Sequence, residues 1–135
     1  MPPIDAPDEV VLTLPAAPEF VRLARLTCAG LATRIGMGYD EVEDLRIAVG
    51  EACSLLIGSG SRAGTLTLTF GLDAHEVGVT IVGGFDGPAA AAEDSSLSDQ
   101  ILDAVVDRHE VDLAQDRVWI AKRHASSASE EAEPA

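Results

Sequence analysis

An α+β sandwich, one layer of strands and one of helices, is the fold class this sequence predicts, and three observations predict it. Apolar residues alternate with period two in short runs, as in Leu66, Leu68 and Phe70 set between threonines, which marks half-buried strands. Elsewhere they recur at three- and four-residue spacing, most clearly in Leu45, Ala48, Val49, Ala52 and Leu56, which marks buried helix faces. Finally, the elements follow one another as strand, helix, helix, strand, strand, helix, strand, strand. That order predicts a mixed sheet of four to five strands with three helices on one face.

Residues 1–8 are rich in Pro and Asp and read as a flexible arm. Glu9–Leu14 reads as the first strand, ended by Pro15. Pro18 opens a helix with an expected buried stripe of Phe20, Leu23, Ala24, Thr27, Cys28 and Leu31. Glu19, Arg22, Arg25 and Arg34 fall to its other side, and Gly36-Met37-Gly38 stops it. A second helix is expected from Asp40, with Asp40 as N-cap and Glu43 as its capping-box partner, to about Ile57. Gly58–Gly64 reads as a loop. Strands are expected at Thr65–Phe70 and Val77–Val82, joined by a polar turn at Asp73–Glu76. Gly83–Ser96 is rich in Gly and Ala, and its Ala89–Ala92 run reads as helix or as disordered chain. Asp94 or Ser95 then caps a third helix with Leu97, Ile101, Leu102, Val105 and Val106 on its apolar side. Glu110–Leu113 and Arg117–Ala121 close the domain as a hairpin turned at Gln115-Asp116. The domain spans 9–124, and 125–135 is a Ser, Glu and Ala tail of disordered composition.

A chain of 135 residues forms one domain. Its hydrophobic content of 47% supports a core, and with only 4% aromatics that core is built from Ala, Val, Leu and Ile. The net charge of −14 argues against direct contact with nucleic acid or anionic membrane, and for fast association with basic partners. Solubility is the other reading of that charge. The first residues carry no basic start and no apolar run of membrane length, so a cytoplasmic location is expected. Cys28 and Cys53 read as small buried thiols, or as a redox pair between two helices. His75, His109 and His124 show no metal-ligand spacing, and no metal site is expected. Trp119 reads as core or half-buried.

The chemistry concentrates in Asp44–Ile57. Glu51 falls within the apolar stretch, where a carboxylate is costly to desolvate unless something binds it. It is therefore a functional group, or a helix-face carboxylate satisfied by solvent or a nearby Arg. The aliphatic run followed by Glu51-Ala52-Cys53-Ser54 resembles the N-box of the GHKL (histidine-kinase-like) ATPase superfamily, in the form carried by anti-sigma factor serine kinases. The element order over residues 9–124 is similar to the Bergerat-like fold of that family. There the Glu orients or deprotonates the attacking hydroxyl, and an Asn four residues on holds magnesium. Here Glu51 is retained and Leu55 stands in the Asn position, with no oxygen to offer a hard cation. The family pattern Asp-x-Gly-x-Gly after a strand is replaced by Gly83-Gly84-Phe85-Asp86-Gly87-Pro88. Asp86, Gly84 and Gly87 remain as cofactor-site candidates in a slipped register, and Asp86 also reads as a turn residue. The family turn that offers backbone N–H groups to the phosphates is Ser96-Leu97-Ser98-Asp99.

The resemblance implies two functions of different class. One is an anti-sigma factor that sequesters an alternative sigma factor and is released by an anti-sigma antagonist, with Glu51 vestigial and no cofactor. The alternative is an active serine kinase that phosphorylates the antagonist using ATP and magnesium. Leu55 favours the binder, because phosphoryl transfer depends on the metal to neutralise developing charge. The resemblance also implies a homodimer formed through the first strand and first helix, where Val10–Leu14 is an exposed edge. Sigma contacts are expected at Glu19, Arg22 and Arg25, each of which also reads as a solvated surface residue.

Overall fold

The computed structural model describes residues 8–58, 63–87 and 95–125. Strand β1 (Asp8–Pro15) leads through a single 3-10 turn at Pro18–Phe20 into helices α1 (Val21–Arg34) and α2 (Tyr39–Ile57). Strands β2 (Gly64–Leu72) and β3 (Glu76–Phe85) follow, then helix α3 (Ser96–Val105), β4 (Arg108–Asp112), a 3-10 turn at Leu113–Gln115 and β5 (Arg117–Arg123). Three helices and a five-stranded sheet give the α+β architecture that the sequence predicts. The expected arm and tail, the Ala89–Ala92 run, Pro88, Asp94 and most of the Gly58–Gly64 connection lie outside the described residues.

The sheet order is β1-β2-β3-β5-β4, and every neighbouring pair is antiparallel, not mixed as expected. Two helices separate β1 from β2, so the chain reverses three times and returns antiparallel. The single-helix crossover through α3 does leave β4 parallel to β3, but β5 inserts between them. One sheet face is buried under the helices, with Leu66, Leu68 and Phe70 of β2, Val77, Val79 and Ile81 of β3, and Val118 and Ile120 of β5 in the core.

On α1 the buried positions are Val21, Ala24, Cys28 and Ala32, a stripe of small side chains at three- and four-residue spacing. Leu23, placed in that stripe from sequence, is instead 46% exposed, and Leu26 beside it is 53% exposed. Gly36, at φ +91°, provides the left-handed residue that ends α1. The α2 cap falls two residues earlier than expected: Gly38 is the N-cap, and its N–H donates to Glu41 Oε1 at 3.0 Å. Asp40 and Glu43 form no capping box. Glu43 pairs with Arg46 at 2.9 Å instead, because both lie inside the helix. Lys122 of β5 donates to the Val105 carbonyl at the end of α3 (2.9 Å) and lies 3.3 Å from Asp44 of α2, which ties both helices to the sheet. Trp119 is half-buried, with the Arg108 guanidinium 5.2 Å from its ring centre. No helix among the described residues is long and apolar enough to cross a membrane.

Glu41 closes the domain at the head of α2. Its Oε2 accepts from the Ala125 N–H at 2.6 Å, and His124 Nδ1 lies 3.7 Å from its Oε1. Burial pushes the Glu41 carboxyl up, but the N–H groups of Ala125 and Gly38 and the charges of His124 and Lys122 outweigh it and hold the carboxyl below 4.5. The unfolded chain therefore binds this proton more readily than the folded one. The contribution to stability is present above pH 4.5 and is lost as pH falls through the lower folded value. Urea denaturation measured down a pH series should show Glu41→Gln losing less stability than the parent chain on acidification in that window.

Candidate functional site

The apolar face of α2 turns Leu45, Ala48, Val49, Ala52 and Leu56 into the core and leaves Glu51 at its border, half-buried. Its partner is neither solvent alone nor an arginine. Ser98 in the first turn of α3 donates its hydroxyl to Glu51 Oε2 at 2.6 Å, across 47 residues of sequence. That first turn is held from other directions too. Ser95 Oγ donates to Asp99 Oδ2 at 3.0 Å, and His109 of β4 sets its two ring nitrogens 3.1 Å from Asp99 and 3.4 Å from Asp103. The Ser96–Asp99 segment is thus the start of a helix pinned to α2 and β4.

Leu55 lies one turn beyond Glu51 on α2 and is half-buried. The glycines expected to form a turn after β3 are in part strand: Gly83 pairs with Leu66 and Gly84 with Thr65. A Cβ at Gly83 would stand 2.1 Å from the Phe85 ring, so Phe85 fills the place of a side chain at this position. Asp86 is exposed, and its N–H donates to the Ala63 carbonyl at 2.8 Å, while Gly87 turns the chain at φ +85°. Glu51 thus meets Ser98, and Gly84, Asp86 and Gly87 group at the end of the β2–β3 hairpin. No hydrogen bond or ion pair joins the two sets among the described residues.

A second feature lies between α1 and α2. Arg22, Arg25 and Leu26 face Glu43, Arg46 and Ile47 across an open groove of about 380 Å³. Arg22 is exposed, as is Glu19 in the preceding turn, whereas Arg25 lies half-buried against Gly50, where an added Cβ would come within 2.9 Å of its Nη1. Arg25 therefore serves the helix pair as well as the surface. Arg46 was not apparent as a member of this set; its three-residue spacing from Glu43 was the signal. Its Nε is buried with no hydrogen-bond partner among the described residues.

Beneath the groove, Cys28 and Cys53 are fully buried. Burial, with the neighbouring Cys53, pushes the Cys28 thiol up to about 12, and burial pushes Cys53 to about 12 against the pull of Arg25. Neither provides a thiolate at neutral pH in this conformation, and thiolate is the reactive form. No cluster of three or more His, Cys, Asp or Glu side chains suited to a metal occurs among the described residues.

The family model described as histidine kinase-like ATPase domain matches residues 14–114. The chain is similar to the serine-protein kinase RsbW of Halalkalibacterium halodurans, 41% identical over 80 residues, which cover 57% of this chain and 49% of that protein. It is likewise similar to the proteins of the same name from Bacillus cereus (strain B4264) and Bacillus mycoides (strain KBAB4), each 39% identical over 67 residues, 48% of this chain and 42% of the relative. The chain spans about half the length of the curated relatives it matches.

The Ser98–Glu51 bond is a measurable tie between α3 and α2. Ser98→Ala leaves a half-buried carboxylate without its donor and should lower unfolding free energy by about 1–2 kcal/mol, read as an earlier urea midpoint with an unchanged slope.

Proposed function

The chain belongs to the histidine kinase-like ATPase domain family, and from that premise we propose that it is an anti-sigma factor working by binding alone. It sequesters an alternative sigma factor through the outer face of α1 and α2 and yields it when an anti-sigma antagonist binds. The observation that carries this reading is the Ser98–Glu51 hydrogen bond. The carboxylate that would act on an incoming hydroxyl is committed to a serine of its own chain at 2.6 Å.

The rest of the site supports the same reading, because its residues do not fit a magnesium nucleotide. Leu55 has no oxygen for a cation that takes oxygen ligands. Gly83 carries no carboxylate to read a base, and Phe85 fills that space. Asp99 places a carboxylate in the first turn of α3, where phosphate would need N–H donors and positive charge. Sequestration needs none of these. It needs an exposed surface, and Glu19, Arg22 and Arg25 stand beside the exposed apolar residues Leu23, Leu26 and Ile47. This patch is basic and apolar on an acidic chain, so the partner segment that meets it is acidic, whatever the charge of the partner as a whole.

A serine kinase acting on the antagonist is the second reading. It is favoured by one fact: Glu51 sits at hydrogen-bonding distance from a serine hydroxyl, the contact a general base makes with its acceptor. The relatives' name, serine-protein kinase, points the same way.

The homodimer belongs to this proposal. β1 is an outer strand of the sheet, paired among the described strands only with β2, so its edge at Val10–Leu14 is a candidate for pairing with a second copy. Light scattering should return twice the chain mass at micromolar concentration, and a monomer mass throughout a dilution series would remove the dimer from the proposal.

Titration calorimetry with magnesium-ATP should give no binding heat, and the chain should capture a sigma factor from the cell's own set without nucleotide. Arg22→Glu should raise the dissociation constant at least about tenfold, near 1.4 kcal/mol, with added salt also weakening the complex. Micromolar ATP affinity, with phosphate transfer abolished by Glu51→Ala, would establish the kinase instead.

A further inference from the structure

We infer that His109 is a proton-operated clasp: the charge on its ring sets how tightly the first turn of α3 is held to β4 and, through Ser98, how often Glu51 is uncovered. The clasp is independent of the sigma-binding reading. His109 lies on the helix side of β4, opposite the fully buried Ile120 of β5, and its side chain is only 13% exposed. Asp99 and Asp103 stand four residues apart, so α3 presents both carboxylates on one face. They meet opposite edges of the ring. Nε2 lies 3.1 Å from Asp99 Oδ1, and Nδ1 lies 3.4 Å from Asp103 Oδ1.

Only the imidazolium carries an N–H on both nitrogens, whereas neutral imidazole has one N–H and one lone pair. With two carboxylates facing the ring, loss of a proton turns that lone pair toward one of them and replaces an attraction with a repulsion. Asp103 is 78% exposed, so solvent and salt screen its share, while Asp99 is 44% exposed and is also fixed by the Ser95 hydroxyl. The neighbouring charges are engaged elsewhere. Lys122, on the helix side of β5, is taken by Asp44 of α2 and by the Val105 carbonyl. Arg108 and Glu110, on either side of His109, alternate to the other face of the sheet, where Arg108 meets Glu76 and Trp119 and Glu110 lies 3.8 Å from Arg117. The clasp has weight because little else holds this turn: α3 buries only Leu102 completely, and Lys122 ties its far end. Docking of the turn and protonation of His109 therefore favour each other. The contribution of the imidazolium is present on the acid side of the His109 titration and is lost as pH rises through it.

The test reads the full-length chain by NMR between about pH 5 and pH 8, the range in which histidine charge ordinarily changes. Long-range proton–nitrogen spectra should show both His109 ring nitrogens protonated at the acid end and one at the alkaline end. Over the same range, amide exchange of Asp99–Asp103, corrected for the intrinsic rate, should quicken at least about threefold, while that of Leu45–Ala52 on α2 should not. His109→Gln keeps one donor and cannot change charge, so it should abolish the response although His75 and His124 remain. Asp103→Asn, at an exposed site, keeps the test valid where the first substitution disturbs the fold, and should reduce the response. Exchange in α3 that is the same at both ends of the range overturns the inference. So does a response that survives His109→Gln or is unchanged by Asp103→Asn, and so does a His109 ring that holds one charge state throughout.

Discussion

Close approach of α1 to α2 through small side chains is the packing on which the rest of the domain depends. Ala24, Cys28 and Ala32 on one helix, and Ala48, Ala52 and Cys53 on the other, are wholly buried. With so few aromatic residues the core gains its volume from aliphatic side chains on the sheet, and Phe70 is the one large ring buried there among the described residues. Close-packed interiors of this kind leave little room for an added methylene. The seam also fixes α2 as the hub: Glu41 meets Ala125, Asp44 meets Lys122, Glu51 meets Ser98, and Gly50 admits Arg25. Each of these four contacts is therefore set in position by α2.

Charge is distributed on this frame unevenly. Arg108 pairs with Glu76, Arg117 lies 3.8 Å from Glu110, and Lys122 is shared between Asp44 and a carbonyl. The exposed pairs add little to stability. Their importance is positional, because they neutralise cations over the sheet while the α1–α2 groove keeps Arg22 and Arg25 unpaired among the described residues. An acidic chain thus presents positive charge at a place bordered by exposed Leu23, Leu26 and Ile47. Under the proposed binding role, apolar area would supply the drive for association and the arginines would select the sign of what binds.

How much of this was legible in the sequence depended on how local the cause was. Strand alternation in Leu66-Thr67-Leu68 and the spacing along α2 are near-neighbour signals, and the elements appear close to where they were expected. The cap was misplaced because two overlapping patterns, Gly38 with Glu41 and Asp40 with Glu43, differ only in which residue first leaves extended geometry. Leu23 was misplaced because apolar spacing cannot tell a core stripe from an exposed apolar position one residue away. The antiparallel sheet order depends on β5 inserting between β3 and β4, which no local pattern encodes. Within the site, Glu51 was visible as a carboxylate on an apolar face, but its partner Ser98 lies 47 residues away and only the fold brings them together.

That long-range contact also separates the two functional readings. The Glu51 oxygen that accepts from Ser98 at 2.6 Å is not free to take a proton from a second serine along the same line. A kinase built on this chain would have to exchange the internal hydroxyl for an external one, and Ser98 is not loose. Its turn is fixed by Ser95 to Asp99 and by His109 to Asp99 and Asp103, and the far end of α3 by Lys122 to Val105. Withdrawing Ser98 therefore disturbs the contacts of α3 with β4 as well as the bond to Glu51. A binder has no such exchange to make: the contact remains closed, α3 stays docked, and the surface offered to a partner lies on the opposite helix seam. The retained glutamate then has a structural role, fastening α3 to α2 in a domain whose third helix buries only Leu102 completely.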